Sequence, residues 1–266
     1  MPREVRQTGF ALWRSLGVRR LATGPFSYIF LVAIACLMAL KHHVPGLRHL
    51  TIRLKLKSGE VWVRDWSDMA VIDEVWGDRQ YDVAALPSDA TVIVDLGANI
   101  GMSAAFFSHR YGNARVIALE PDPAVAELAS RNLAGFKRAE VRGLAVGGRS
   151  GVARFYRTPG QSWGGSFFQK DWARHTAIDV PTVTLDSLIE ELGHIDILKL
   201  DIEGAETEVL ASALRLSEVG LILGEFHAVD ETSEATIREA LAGRTLVDDN
   251  MAGGKGTFVA LAPSRH

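Results

Sequence analysis

The chain has 266 residues, 47% of them hydrophobic, which is enough for a substantial core and for one catalytic domain with an elaboration rather than two full domains. Its net charge of -3 gives no electrostatic reason to expect a nucleic-acid partner. The single cysteine, Cys36, excludes an internal disulfide framework and a multi-cysteine zinc site, and is compatible with a reducing compartment.

Residues 1–46 read as a basic and apolar helical segment. Arg3, Arg6, Arg14, Arg19 and Arg20 precede an apolar run from Phe26 to Leu40, and Lys41-His42-His43 follows it. The run is shorter than the ~18–20 apolar residues of a membrane span. No small-x-small cleavage site follows it, as a signal peptide would require. The expectation is a helix that packs on the protein or lies in a bilayer surface, with peripheral membrane contact through residues 24–43. A span would place the later domain outside, because the upstream arginines hold the N-terminus inside. A nucleotide cofactor from the cytosol is incompatible with that, so a cytoplasmic location, membrane-associated or not, is expected.

Residues 47–88 form a hairpin-and-helix prelude. Leu50, Ile52, Leu54 and Leu56 alternate with Thr51, Arg53, Lys55 and Lys57, the period of a half-buried strand. Ser58-Gly59 turns the chain and Val61-Trp62-Val63 returns it. Ser67 is the expected N-cap of a short helix carrying Met69, Ile72, Val75 and Trp76.

Residues 89–266 read as the catalytic domain. Strands are expected at 92–96, 115–119, 139–146, 152–157, 195–200, 220–226, 245–249 and 257–262. Helices are expected near 101–111, from Pro123, and near 204–214 and 232–242. The stretch Thr158 to His175 has no periodicity. Alternating strands and helices imply an open, mainly parallel sheet with helices on both faces, which binds ligands at the carboxyl ends of its strands.

The run Val92-Ile93-Val94-Asp95-Leu96-Gly97-Ala98-Asn99-Ile100-Gly101 reads as a buried strand, a small-residue turn and the start of a helix. Glycine lets backbone approach a ligand closely, and a helix N-terminus offers N–H groups. Glu120 ends the next apolar run, at the spacing where a second strand presents a carboxylate to a ribose. A nucleoside cofactor is therefore expected. Asp95 would brace the turn or bind the cofactor's amino group, Glu120 would accept from ribose hydroxyls, Asp122 would read an adenine edge, and Ala145 would flank the ring, while Val146 is expected in the sheet core.

Two further pairs stand at strand ends: Asp201 with Glu203, and Glu225 with His227. Residues two apart share a face. On neighbouring strands they would converge beside the glycine turn. Such a group suits proton abstraction, with His227 as base and Glu225 or Asp201 as its partner. The same residues could hold a divalent cation or serve as helix caps and ion pairs; acid/base work is preferred and no metal is expected. Gln161 to Phe168 is equally a substrate-facing loop or a surface insertion. His175 and His194 are expected at the surface.

The turn Asp95-Leu96-Gly97-Ala98-Asn99-Ile100-Gly101 resembles motif I of class I S-adenosylmethionine (AdoMet)-dependent methyltransferases. Thr184-Leu185-Asp186-Ser187-Leu188, together with Ile195 to Glu206, is similar to the signature of the FkbM-type methyltransferases. The likeness runs from about Asp65 to Leu261, with Ser67, Asp68 and Tyr81 also family-like. It implies a seven-stranded Rossmann-like sheet whose last strand is antiparallel. The implied reaction is methyl transfer to a hydroxyl of a small molecule or glycan, such as a sugar or a polyketide-type metabolite. It also implies AdoMet on Asp95, Gly97, Asn99, Gly101 and Glu120. It does not identify the base. Two other classes compete: a nicotinamide-dependent oxidoreductase, disfavoured because Asn99 replaces the second glycine of its fingerprint, and a non-catalytic module keeping a degenerate pocket.

Overall fold

A computed structural model describes residues 21–41, 44–47, 50–56, 59–157, 165–168 and 176–263. The N-terminal arginines, His42, His43, Gln161 to Gly164 and His175 lie outside the described residues. The chain forms two compact units, one of Met1–Asp82 with Pro159–Trp163, the other of Val83–Thr158 with Gly164–His266.

In the first unit, α1 (Pro25–Leu40) has proline in its first turn, where the missing N–H is harmless. Leu31, Ile34 and Met38 form its buried face, while Phe26, Ile29, Phe30 and Leu40 are exposed. Among the described residues no helix is long and apolar enough to cross a membrane. The hairpin forms as β1 (Ile52–Leu56) and β2 (Gly59–Val63), with Leu54, Leu56, Val61 and Val63 on the buried side. Helix α2 (Trp66–Ile72) starts earlier than expected. Asp65, not Ser67, is its N-cap, because Asp65 and Asp68 make a reciprocal capping box that Ser67 cannot. Ser67 is buried in the first turn.

The second unit is built on a seven-stranded sheet. Its elements in chain order begin with β3 (Val92–Leu96), α3 (Met102–Arg110), β4 (Arg115–Leu119), α4 (Pro123–Leu133), β5 (Ala139–Arg142) and β6 (Ala145–Val146). They continue with β7 (Gly151–Arg157), β8 (Thr176–Val183), α5 (Leu185–Leu192), β9 (Ile195–Leu200), α6 (Glu206–Ser212) and β10 (Val219–His227). The last three are α7 (Ser233–Ala240), β11 (Thr245–Asp249) and β12 (Lys255–Leu261). The sheet order is β11-β12-β10-β9-β3-β4-β5. Strand β12 is antiparallel to both neighbours, and the β10–β9–β3–β4–β5 pairings are parallel. This is the expected open α/β sheet with an antiparallel last strand. Val94, Leu96, Ile117, Leu198, Leu200, Ile222 and Phe226 belong to its core.

The order reverses between β3 and β9, which are neighbours although about a hundred residues apart in the chain. At the amino end of this pair Asp196 locks the register, its Oδ2 accepting from Thr91 N at 2.7 Å and Val92 N at 2.9 Å. The carboxyl end is left as the switch-point crevice where ligands of such sheets bind.

Three expectations are corrected. The strand expected at 139–146 is two strands: after Gly143-Leu144 the chain leaves the main sheet, and Ala145–Val146 pairs in parallel with β8 in a separate β6-β8-β7 sheet. A glycine inside a strand pattern marks such a bend. The helix expected from 204 begins at Glu206, because Glu203 and Gly204 have φ of 54° and 108°, outside the right-handed helical region. Strand β8 and helix α5 were not among the elements expected from periodicity. In β8, Pro181 weakens the strand signal, though Ile178, Val180 and Thr182 keep the alternation.

Candidate active site

Strand β3 ends in a turn drawn tightly against its neighbours. The N–H groups of Gly97 and Ala98 both donate to Leu119 O, at 3.1 and 2.9 Å, and Asp201 N donates to Leu96 O at 3.2 Å. Gly97 has φ 75°, and a Cβ there would sit 1.8 Å from Asp201 O. Only glycine fits. Asn99 follows with φ 50°, a left-handed value that asparagine tolerates better than most residues. Gly101, with φ 85°, is the N-cap of α3.

The turn offers backbone surface more than donors. Asn99 N donates to Glu120 Oε2 at 3.0 Å and Gly101 N to Ala98 O at 2.8 Å, so with Gly97 and Ala98 four N–H groups already have protein acceptors. The tight turn closes on itself. Asn99 Oδ1 is buried and without a hydrogen-bond partner.

Asp95 is fully buried and braces this turn from below. It accepts from Ser103 Oγ at 2.5 Å and pairs with Lys199 Nζ at 3.1 Å. Lys199, also buried, stands directly opposite Asp95 in the β3–β9 register. Its ammonium donates to Gly97 O at 2.7 Å and Leu96 O at 3.3 Å and lies 3.7 Å from Asp201 Oδ2. Burial alone would lower its pKa, but Asp95 and Asp201 hold it above the ordinary lysine value. Sequence patterning assigns Lys199 no role. Its signal was there: a lone cation within the apolar run Ile195 to Leu200.

Glu120 ends β4 and is buried. Its oxygens accept from Asn99 N and, at 2.9 Å, from Asp122 N. A carboxylate has about four lone-pair sites, so two remain for a ligand. Burial outweighs these hydrogen bonds and pushes its pKa up to about 7. Asp122 caps α4, with Oδ1 accepting from Ala124 N at 2.9 Å. Ala145 is buried in a small cluster with Phe155 and Val180.

The second half of the site lies at the ends of β9 and β10, which are sheet neighbours. One ligand-type atom from each of Asp201, Glu225 and His227 lies within 4.8 Å of the other two. Three of the four expected residues therefore converge. Glu203 differs: its left-handed backbone turns its carbonyl to Ser166 Oγ, which donates at 2.7 Å. Its charge still reaches the His227 ring. The partner of His227 is corrected. Nδ1 is 3.2 Å from Glu206 Oε1, not on Glu225 or Asp201. Glu206 is wholly buried and is itself fixed by the N–H groups of Ile202 (3.0 Å) and Gly204 (2.9 Å). Burial would lower the His227 pKa, but the Glu206 hydrogen bond and the charges of Glu203 and Asp201 hold it above the ordinary histidine value. Glu206 was quoted in the sequence motif without a role; it stands three residues after Glu203, where the left-handed turn brings it back under the loop. His194 is a surface residue beside Asp196.

The family model described as the methyltransferase FkbM domain matches residues 95–245. Methyltransferase sdnD of Sordaria araneosa is 30% identical over 173 residues, covering 53% of this chain and 66% of that protein. 2-O-methyltransferase NoeI of Sinorhizobium fredii is 30% identical over 145 residues, covering 48% of this chain and 60% of its own length. The chain thus spans somewhat less than two thirds of these relatives. Among solved structures, Aeropyrum pernix fibrillarin with natively bound S-adenosyl-L-methionine is 14% identical with a TM-score of 0.43, covering 83% of this chain and 87% of that one.

The Lys199–Asp95 pair is testable by stability. Lys199→Met leaves Asp95 buried and uncompensated and should cost about 3–5 kcal/mol in urea unfolding. The double variant Lys199→Met, Asp95→Asn should recover part of that loss. A Lys199→Met midpoint equal to wild type would show that the pair does not hold this edge together.

Proposed function

Because the chain belongs to the FkbM methyltransferase family, we propose that it transfers a methyl group from AdoMet to a hydroxyl oxygen of a small molecule or glycan. What supports this reading is the abutment of two unlike half-sites, a Gly97–Gly101 turn with a buried ribose-type acid and a convergent acid–histidine group. They meet at the contact of Gly97 with the Asp201 carbonyl. The relative NoeI is by name a 2-O-methyltransferase, which supports oxygen as the accepting atom.

The residues fit the donor. Gly97 and Gly101 let the turn pack closely against Asp201 and Leu133, and the buried Asn99 Oδ1, without a hydrogen-bond partner, is an acceptor for a ligand donor. Glu120 keeps lone pairs for the ribose hydroxyls. Asp95 braces the turn, Asp122 stands at the adenine end and Ala145 on the ring's flank. AdoMet supplies a methyl already activated on a sulfonium. The protein therefore contributes mainly proximity and orientation. Asp201, Glu203, Glu225 and His227 face the acceptor and supply the groups that orient its hydroxyl and take up its proton. An NAD-dependent reaction on this fold is disfavoured, because Asn99 stands where a dinucleotide turn has glycine.

Calorimetry with S-adenosylhomocysteine and NAD side by side tests the donor; preference for NAD overturns the reading. The carboxylate of Glu120 is the better hydroxyl acceptor, and it is protonated below about pH 7. S-adenosylhomocysteine affinity should therefore rise about tenfold from pH 6 to pH 8, and Glu120→Gln should bind weakly with no such slope. A flat wild-type profile would remove Glu120 from the ribose site.

His227→Ala should keep S-adenosylhomocysteine affinity and lose on the order of 10²–10⁴-fold in single-turnover methyl transfer. Turnover near wild type would remove His227 from the acceptor half.

We also infer peripheral contact with anionic bilayers through residues 24–43. Helix α1 exposes Phe26, Ile29, Phe30 and Leu40, and arginines precede it in the sequence, the pairing of apolar and basic groups that interfacial helices use. The full chain should cosediment with phosphatidylserine-containing vesicles, and Phe26→Ser with Phe30→Ser should reduce this severalfold. A full chain that stays in the supernatant ends this part of the reading.

A further inference from the structure

Asp201, Glu225 and His227 have the arrangement of a metal site. Their ligand-type atoms lie within 4.8 Å of one another, a span that one ion can bridge. The groups stand just beyond the last β9–β10 pair, Leu200 with Gly224; the backbone of Asp201 is fixed by its N–H on Leu96 O, and those of Glu225 and His227 by pairing with β12.

The histidine shows the clearest sign. A carboxylate only accepts, so Nδ1, 3.2 Å from Glu206 Oε1, carries a hydrogen, and Nε2 is the nitrogen whose lone pair a cation would take in place of a proton. Nε2 is buried and has no hydrogen-bond partner. A buried nitrogen of this kind is costly unless something binds it. Metal-bound histidines are oriented in this way, with the far nitrogen donating to a carboxylate. Glu206 is suited to that task, because two backbone N–H groups fix it and it is fully buried.

The charge balance agrees. Asp201, Glu203, Glu206 and Glu225 crowd these two strand ends. Among the described residues Lys199 ion-pairs with Asp201 there, and it is also engaged by Asp95 and two carbonyls. Carboxylates gathered around a half-buried imidazole are the hard oxygen donors that divalent cations take.

We propose that Asp201, Glu225 and His227 bind one divalent cation, with Glu206 as the positioning residue behind His227. Two carboxylates and an imidazole suit a first-row ion such as Mn²⁺. Three protein ligands leave coordination positions open to oxygens of the acceptor. The use of the ion rests on the methyl-transfer reading; its binding does not. With the ion bound His227 is a ligand, so of the acceptor-side groups Glu203 is the one left to take up the proton, and the loss expected for His227→Ala then comes from loss of the ion.

The test uses the full chain, stripped with chelator and titrated with Mn²⁺ alone, free Mn²⁺ being read by electron paramagnetic resonance. S-adenosylhomocysteine binding is measured on the same samples. One equivalent of Mn²⁺ should bind. Asp201→Asn with Glu225→Gln should weaken it at least 100-fold, and Glu206→Gln by roughly 10–100-fold, with S-adenosylhomocysteine affinity kept. If the double variant does not fold, His227→Gln serves in its place and should likewise weaken Mn²⁺ binding at least tenfold. Absence of Mn²⁺ binding to the full chain, or binding unchanged in these variants, overturns the proposal. Mn²⁺ binding without any S-adenosylhomocysteine binding supports the cation site and defeats the methyl-donor reading.

Discussion

Lys199 puts a full charge inside an apolar sheet, and the carboxyl edge of that sheet is organised around it. Removing an ammonium from water costs several kcal/mol unless partners compensate. Here they come from three directions: Asp95 across the register, the Leu96 and Gly97 carbonyls at the end of β3, and Asp201 at the end of β9. These bonds draw the end of β3 onto the end of β9. The close approach at Gly97 follows, since its missing Cβ is where the Asp201 carbonyl sits. A turn held this tightly has little freedom left, which is what a preorganised cofactor cradle requires.

Glu206 does for the second half of the site what Lys199 does for the first. It is the buried group to which a left-handed loop and a histidine are both tied. The φ of 54° at Glu203 is an uncommon conformation for a residue with a side chain. Hydrogen bonds from Ile202 and Gly204 to Glu206, and from Ser166 to the Glu203 carbonyl, hold it in place. The acids at these strand ends are therefore held by β10, by the bond of Asp201 N to Leu96 O and by a pinned loop.

The first unit follows a different logic. Helix α1 is apolar nearly all round, and one side is buried while the other shows Phe26, Ile29, Phe30 and Leu40 to solvent. A helix of that composition is at home in a core or at a membrane surface, and its length is too small for a span.

Much of this protein was legible in the chain itself. The parallel strands follow from short continuous apolar runs bounded by turn residues, and the glycine turn and strand-end acids from where those runs stop. The family signature named the class. What escaped were features created by folding. Periodicity could not reveal that the chain leaves the sheet after Gly143, because the apolar pattern continues on both sides of the bend. Asp65 took the cap from Ser67 because Asp68 reciprocates, a pairing visible only once the turn is built. The partner of His227 depended on a left-handed turn at Glu203 and Gly204 that brings Glu206 beneath the loop. The charge balance of the site depended on Lys199 standing opposite Asp95, a register that only strand pairing sets. Local sequence set the elements and the chemistry available, since propensity and periodicity act over a few residues. Which acid meets which cation was decided by sheet register, since strands about a hundred residues apart become neighbours only in the folded chain.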